Sequence, residues 1–367
     1  MKVLISAGDR SGDYYGAQLV RKMRQSARDL EIVGLGGRHM SLAGVDLLAS
    51  SDENRLMGLT ELSGGLGSMV RVWKKMTYAL GSCDLLITID YPEFNMRLAR
   101  KAKKQKLPVL GYLPPQVWAW RPWRAKAVAR IVDDLVVAFE WEREIYRPFM
   151  PTDRIHWVGH PLLDDQIEPT APTGDGAVLA LLPGSRRFEI ERLLPPMLAA
   201  VELSKNEWRP VIAASDETAK SWCQPIVEES GCDISVEVGK MQKILENAQA
   251  ALVCSGTATL EVALAGVPQV ILYRVSSLTG LVVGALMNSK HIGLPNIVLG
   301  RREYPELVQR QVSPINIATA LEEVTSNGLS YASSLSDEIA IKLGEPGAAQ
   351  RAAELAMSLC NHHSRFR

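Results

Sequence analysis

The chain has no Cys-x-x-Cys pair, and its five cysteines (Cys83, Cys223, Cys232, Cys254 and Cys360) are odd in number and scattered. That pattern fits reduced thiols and excludes a disulfide scaffold or a zinc ribbon. Net charge is also missing: Lys plus Arg and Asp plus Glu both stand at 41, so no global electrostatic case exists for a nucleic-acid partner. No apolar run reaches the roughly 18 residues of a membrane-spanning helix, and the run that opens the chain is too short for a signal peptide. Any contact with a membrane is therefore expected from its surface. The histidines, His39, His156, His160, His291, His362 and His363, lack His-Glu-x-x-His spacing, so no metal centre is expected. Neither Gly8–Asp13 nor Gly34–Gly37 completes a G-x-G-x-x-G fingerprint.

What is present is alternation. At 367 residues the chain is long for one hydrophobic core, and two domains are the default expectation. Short apolar runs at 2–7, 31–35, 85–89, 109–113 and 135–139 are separated by helical spacing such as 16–26 and 94–106. After a Pro-, Gly- and acid-rich linker at 164–176 the pattern restarts, with strands expected at 177–182, 209–213, 234–238, 250–253 and 269–273. This predicts an α/β protein of two doubly wound parallel-sheet domains facing a cleft, about 1–165 and 175–340.

The most informative stretch is Cys254–Glu261, an apolar strand running through Ser255-Gly256-Thr257-Ala258 into a helix. Small residues there let a ligand approach the backbone, and the helix start favours a phosphate. Glu261, about one turn on, is placed to meet ribose hydroxyls, although Ser and Thr are also ordinary helix caps. The segment Leu181–Arg186 repeats the design: a strand, the turn Gly184-Ser185, and a basic Arg186 able to offset charge on a departing diphosphate. Together they point to a nucleotide diphosphate.

In the first domain, Asp90 ends a buried strand and is the candidate general base, with Glu93 or Asn95 to orient it. Asp is a favoured helix cap as well. The first turn offers Ser11 and Asp13 as polar contacts. Trp118, in a segment with three of the eight tryptophans, is a candidate wall for a sugar or an acyl chain, and His160 lines the cleft or satisfies the hinge. Between Leu66 and Arg130 basic residues outnumber acidic ones thirteen to three, a local field that attracts phosphorylated or lipid anions. Leu66, Met69, Val70, Trp73, Thr77 and Leu80 follow helical spacing beside Arg71, Lys74 and Lys75, with Leu56–Leu59 and Gly64-Gly65 as an apolar rim. This is the pattern of a membrane-surface helix or of a helix packed on its sheet.

The motifs AGDRSGD (7–13), IDYPEFN (89–95), VWAWRP (117–122), VGHP (158–161), LLPGSRRFEI (181–190), SGTATLE (255–261) and LPNIVLGR (294–301) resemble, in order, those of the lipid-A-disaccharide synthases. The resemblance spans about residues 1–310. It implies a GT-B fold of two Rossmann-like domains, a C-terminal domain that holds UDP, and a last helix, about 345–365, that packs back on the N-terminal acceptor and membrane-side domain. It implies an inverting, metal- and cofactor-independent transfer from UDP-2,3-diacylglucosamine to 2,3-diacylglucosamine 1-phosphate. It assigns Asp90 as base, Arg186 to the diphosphate, and Gly184, Ser185, Ser255, Gly256, Thr257, Ala258, Glu261 and Asn296 to the donor. Ser11, Asp13, Glu93, Asn95, Trp118 and His160 fall on the acceptor side. The implied setting is cytoplasmic, peripheral on the anionic inner membrane of a Gram-negative bacterium; a homodimer is a candidate assembly, and the sequence leaves the oligomeric state open.

Three departures touch the acceptor side: Asp9-Arg10 where the family has Glu, Pro114-Pro115-Gln116 where it has Ser-Pro-Ser, and Phe139–Glu142 where it has Leu-Pro-Phe-Glu. Two alternatives stay open: a GT-B transferase or epimerase of a soluble UDP-sugar, and a non-catalytic nucleotide-sugar or lipid binder.

Overall fold

A computed structural model of the chain describes residues 1–27, 29–51, 65–165, 177–232, 234–275 and 290–364. The chain divides into two compact units, Met1–Asp165 with Gly344–Arg367, and Gln166–Leu343. The first holds a seven-stranded sheet: β1 (Lys2–Ala7), β2 (Glu31–Gly36), β3 (Asp46–Ser50), β4 (Leu85–Ile89), β5 (Val109–Tyr112), β6 (Asp134–Val137) and β7 (Ile155–Trp157). The second holds six strands: β8 (Ala177–Leu182), β9 (Trp208–Ala214), β10 (Ser235–Val238), β11 (Ala248–Cys254), β12 (Gln269–Tyr273) and β13 (Glu306–Val308).

Strand order is β3-β2-β1-β4-β5-β6-β7 in one sheet and β10-β9-β8-β11-β12-β13 in the other, and every pairing is parallel. Both orders reverse direction once, between β1 and β4 and between β8 and β11. At such a switch point the connections leave on opposite sides, and a crevice opens outside the carboxyl ends of the two strands. The central strands are continuous apolar runs, Leu85–Ile89 being buried at every position, because helices cover both faces of a parallel sheet.

The expected central strands are all present. Absent from the sequence-based expectation are β3, β7 and β13, which are edge strands of three to five residues. An edge strand has a single paired neighbour and is short, so it carries little periodic signal. The first helix also starts earlier than expected, at Arg10 rather than Gly16, because Asp9 caps it by accepting from the Gly12 N–H at 2.7 Å.

Helix Pro92–Lys104 buries Phe94, Leu98, Ala99 and Ala102 and exposes Arg97, Arg100, Lys101 and Lys104. Its basic run is thus the solvated face of an amphipathic helix; burying Leu98 alone contributes about 2 kcal/mol. Helix Gly65–Ala79 turns Val72, Met76 and Ala79 inward and leaves Met69, Val70, Arg71 and Lys74 exposed. The expected outward stripe is corrected at two positions. Trp73 packs edge-on against Phe94 at 5.5 Å, and Leu80 is buried. Leu56–Leu59 and Gly64 lie outside the described residues.

The last helix, Ala348–Ser364, lies on the first unit against helix Arg10–Ser26. Its buried face is made of Ala349, Ala352, Ala353, Ala356 and Cys360, small side chains that shorten the distance between packed helices. Asp164 holds its start: one carboxylate oxygen accepts from the Gly347 and Ala348 N–H groups at 2.6 and 3.1 Å, the other from Ala349 at 2.9 Å. Among the described residues no helix is long and apolar enough to cross a membrane.

Candidate active site

In the second unit, β8 and β11 are hydrogen-bonded neighbours, with Leu182 opposite Val253. The turns that follow them are therefore brought together at the switch point. Gly184 has φ +114°, and a Cβ there would come within 2.5 Å of Glu189 Oε2, so this turn requires glycine. Glu189, in the first turn of helix Arg187–Leu203, reaches back to accept from the Ser185 and Arg186 N–H groups at 3.1 and 3.2 Å. Its other oxygen accepts from Arg186 Nη1 at 2.9 Å. One carboxylate thus fixes the turn and the arginine together, while the Arg186 side chain stays 61% exposed.

Opposite it, helix Thr257–Leu264 begins at Gly256, and no side chain of the described residues caps it. Gly256 is extended, and a Cβ there would meet nothing within 4 Å among the described residues. None of the described residues demands glycine at this position. Ser255 donates its hydroxyl to the Ile292 carbonyl at 2.8 Å, and Thr257, Ala258 and Glu261 are partly accessible at the helix start. The buried Cys254 thiol is pushed well up by desolvation, then by the Glu189 carboxylate, and is drawn down by Arg186; both turns therefore share one electrostatic environment. Tyr273, at the end of β12, is raised by burial and feels the same groups. Asn296 is fully buried. Its amide donates to the Tyr304 carbonyl and to Glu306, both at 2.8 Å, and accepts from the Glu303 and Tyr304 N–H groups at 2.9 and 3.0 Å. It fastens the segment that Ser255 leans on.

In the first unit the same topology sets the turn after β1 beside the turn after β4, with Ala7 opposite Ile89. Asp90 and Tyr91 have φ +38° and +50°, two consecutive non-glycine residues in the left-handed region, at a cost of order 1 kcal/mol each. Asn95 holds them there. Its buried amide donates to the carbonyls of Ser6, Ile89 and Asp90 at 3.0, 3.0 and 2.8 Å, and its oxygen accepts from Ser6 Oγ at 2.6 Å. The Tyr91 ring passes over Gly8, where a Cβ would come within 2.1 Å of Tyr91 Cγ. The Asp90 N–H donates to the Leu113 carbonyl at 3.1 Å, joining the ends of β4 and β5.

Two acceptor-side expectations, Asp13 and Glu93, are redrawn. Asp13 is buried, and its carboxylate accepts from the Gly37, His39 and Met40 N–H groups at 2.6, 2.9 and 3.0 Å, securing the turn after β2. Glu93 pairs with Arg124 at 2.6 Å and Arg121 at 3.4 Å, and these cations hold its carboxyl below the usual range. Ser11 lies in the first helical turn, 3.4 Å from Asp9. Trp118 donates its indole N–H to Glu142 Oε1 at 2.9 Å. His160 is buried against Tyr15 and Phe139; its Nδ1 accepts from the Leu162 N–H at 3.2 Å, and desolvation lowers its pKa to about 4, so it is neutral.

The sequence reading missed Glu142. This carboxyl is 1% exposed, and burial raises its pKa to about 7 against the pull of three N–H donors, with the Asp90 charge adding to the rise. The Phe139–Glu142 departure marked the segment without identifying which residue mattered. A cavity of about 590 Å³ in the first unit, lined by Arg143, His156, Trp157 and Arg351 among others, contains none of the candidate residues. Among the described residues, no group of three or more His, Cys, Asp or Glu side chains is placed to hold a metal.

The family model for lipid-A-disaccharide synthetase matches residues 3–358. A lipid-A-disaccharide synthase of Syntrophus aciditrophicus is 37% identical over 375 residues, covering 97% of each chain. A proposed UDP-N-acetylglucosamine 2-epimerase from Listeria monocytogenes superposes with a TM-score of 0.67 at 11% identity, covering 97% of this chain and 96% of that one. MurG of Acinetobacter baumannii gives 0.59 at 12%, covering 97% and 99%. The structures share the two-unit GT-B fold, and with the match along nearly the whole sequence the chain belongs to the lipid-A-disaccharide synthase family.

Proposed function

We propose that this chain joins UDP-2,3-diacylglucosamine to 2,3-diacylglucosamine 1-phosphate, giving the disaccharide 1-phosphate and UDP. The observation that carries the reading is the pairing of motifs at both switch points, the Gly184–Arg186 turn with Ser255–Glu261 in one sheet and the Gly8–Asp13 segment with Asp90–Asn95 in the other. The second unit is the donor side and the first unit the acceptor side. Asp90 takes the proton of the acceptor 6-hydroxyl as its oxygen bonds to the donor anomeric carbon. The bond from that carbon to the diphosphate breaks with inversion, and the electron pair leaves with UDP. Arg186 and the N–H groups at Gly256–Ala258 offset the negative charge that grows on the diphosphate. Ser185, Ser255 and Glu261 border the nucleotide. Trp118 and His160 border the acceptor, while Asn95 and Asn296 act by holding the two turns in place.

Purified protein given both lipid substrates in detergent micelles is expected to release UDP and the disaccharide 1-phosphate. Given UDP-N-acetylglucosamine alone it is expected to form no epimer; epimerisation without acyl chains would instead favour the soluble UDP-sugar reading.

The acceptor unit is also the membrane side. Exposed Met69 and Val70 sit beside Arg71 and Lys74 on helix Gly65–Ala79, an apolar pair with cationic neighbours suited to the anionic cytoplasmic face of the inner membrane. Co-sedimentation with phosphatidylglycerol vesicles is expected to fall in Met69→Glu/Val70→Glu, and unchanged binding in the folded variant would contradict this placement.

A further inference from the structure

We propose that Glu142 is a positioning residue for the acceptor, which fixes the ring of Trp118 and, through the turn after β6, the aromatic wall that Trp118 shares with Phe139 and Trp141. The inference rests on the reading of the first unit as the acceptor side. Glu142 joins two stretches of chain that are separate in sequence. Oε1 accepts from Trp118 Nε1 at 2.9 Å, in the segment after β5, and Oε2 accepts from the Ala138 and Phe139 N–H groups at 2.9 and 3.1 Å, after β6. Three donors converge on one buried group, and only a carboxylate offers both of its oxygens as acceptors. A glutamine in the same place would turn an NH2 toward donors on one side or the other.

The rings that depend on this anchor are in mutual contact. Trp118 meets Trp141 edge-on, with centroids 4.9 Å apart, and Trp141 stacks on Phe139 at 5.5 Å with 5° between the planes. Phe139 in turn lies 5.5 Å from His160. The wall therefore runs along the carboxyl ends of β5, β6 and β7, the same end of the sheet at which Asp90 terminates β4. Trp141 remains 38% exposed and Trp118 is half-buried, so flat aromatic surface is left for the apolar face of a sugar ring or the start of an acyl chain. Rotation of the Trp118 ring is restrained by its single N–H bond to Glu142, and loss of that bond lets the wall misplace an acceptor without touching the nucleotide side.

Steady-state kinetics in micelles on Glu142→Gln, Trp118→Phe and the double variant test this, with thermal melting measured alongside. Trp118→Phe keeps a ring and removes the N–H, so it carries the test even if Glu142→Gln fails to fold. Acceptor KM is expected to rise about tenfold in each single variant, the loss of one charge-assisted hydrogen bond. Donor KM is expected to stay within twofold, and the double variant to be no worse than the worse single. Acceptor KM within twofold of wild type in Trp118→Phe overturns the proposal, as does a parallel loss of both KM values and kcat that tracks melting temperature. Wild-type protein that forms no disaccharide overturns the functional reading and this inference with it, whereas wild-type turnover with an unmoved acceptor KM overturns the inference alone.

Discussion

Asn95 donates its side-chain amide to the backbone carbonyl of Asp90 at 2.8 Å, and the same amide serves the Ser6 and Ile89 carbonyls. The residue proposed as base therefore sits on a strained backbone held by a neighbour five positions along, rather than by Glu93. Asn95→Ala strands buried carbonyls and releases two left-handed residues. It is expected to lower unfolding free energy by about 2–3 kcal/mol in denaturant titrations and to cut kcat at least tenfold in protein that remains folded. A variant with wild-type kcat would show that the Asp90 conformation is not needed for turnover.

Two glycines in the proposed donor site separate fold from function. Gly256→Ala meets no atom of the described residues within 4 Å and keeps an extended backbone, so melting temperature is expected to stay within about 1 °C while UDP affinity falls about tenfold, or 1.4 kcal/mol. Gly184→Ala, at φ +114° and against Glu189, is expected to cost about 1–2 kcal/mol of stability. Calorimetry of UDP binding with matched melting curves checks both. Unchanged UDP affinity in Gly256→Ala would remove this turn from the nucleotide site.

Buried Glu142 and His160 make opposite contributions to stability over nearly the same pH range. Glu142 is raised from 4.5 to about 7, so the folded state holds the extra proton; its contribution is full below about 4.5 and is lost as pH rises through 7. His160 is lowered from 6.5 to about 4, so the unfolded state holds the extra proton; its contribution is full above about 6.5 and is lost as pH falls through 4. Each is worth on the order of 3 kcal/mol, and in the wild type the two slopes offset between about 4.5 and 6.5. Glu142→Gln is expected to give stability that rises with pH across that window, and His160→Gln stability that falls. Denaturant midpoints at four pH values check the signs, and slopes of the same sign in both variants would contradict the assignment.

The central strands were legible because each is a nearly unbroken apolar run ending in a small or polar turn, as in Leu85–Ile89 followed by Asp90. The edge strands β3, β7 and β13 were not, Ile155–Trp157 and Glu306–Val308 being only three residues long, whereas the edge strand β10 was. The segments that gather at the two switch points were identified one by one from residue type and spacing. What sequence could not supply was the division of labour inside them. Asp13 and Asn296 read as polar ligands, yet the Asp13 carboxylate is taken up by backbone N–H groups and the Asn296 amide by backbone groups and Glu306. Glu142, read only as part of a departure from a motif, holds three donors at once. Hydrogen bonds between segments far apart in the chain leave no periodic trace, which is why these roles emerged from coordinates alone.

The central claim is tested most directly by mass spectrometry of product formed from UDP-2,3-diacylglucosamine and 2,3-diacylglucosamine 1-phosphate in micelles, comparing wild type with Asp90→Asn and Arg186→Ala. The account predicts disaccharide 1-phosphate and UDP from wild type, with the rate reduced at least a hundredfold, about 2.7 kcal/mol, in each folded variant. Near-wild-type product from either variant, or none from wild type that still binds UDP, would contradict it.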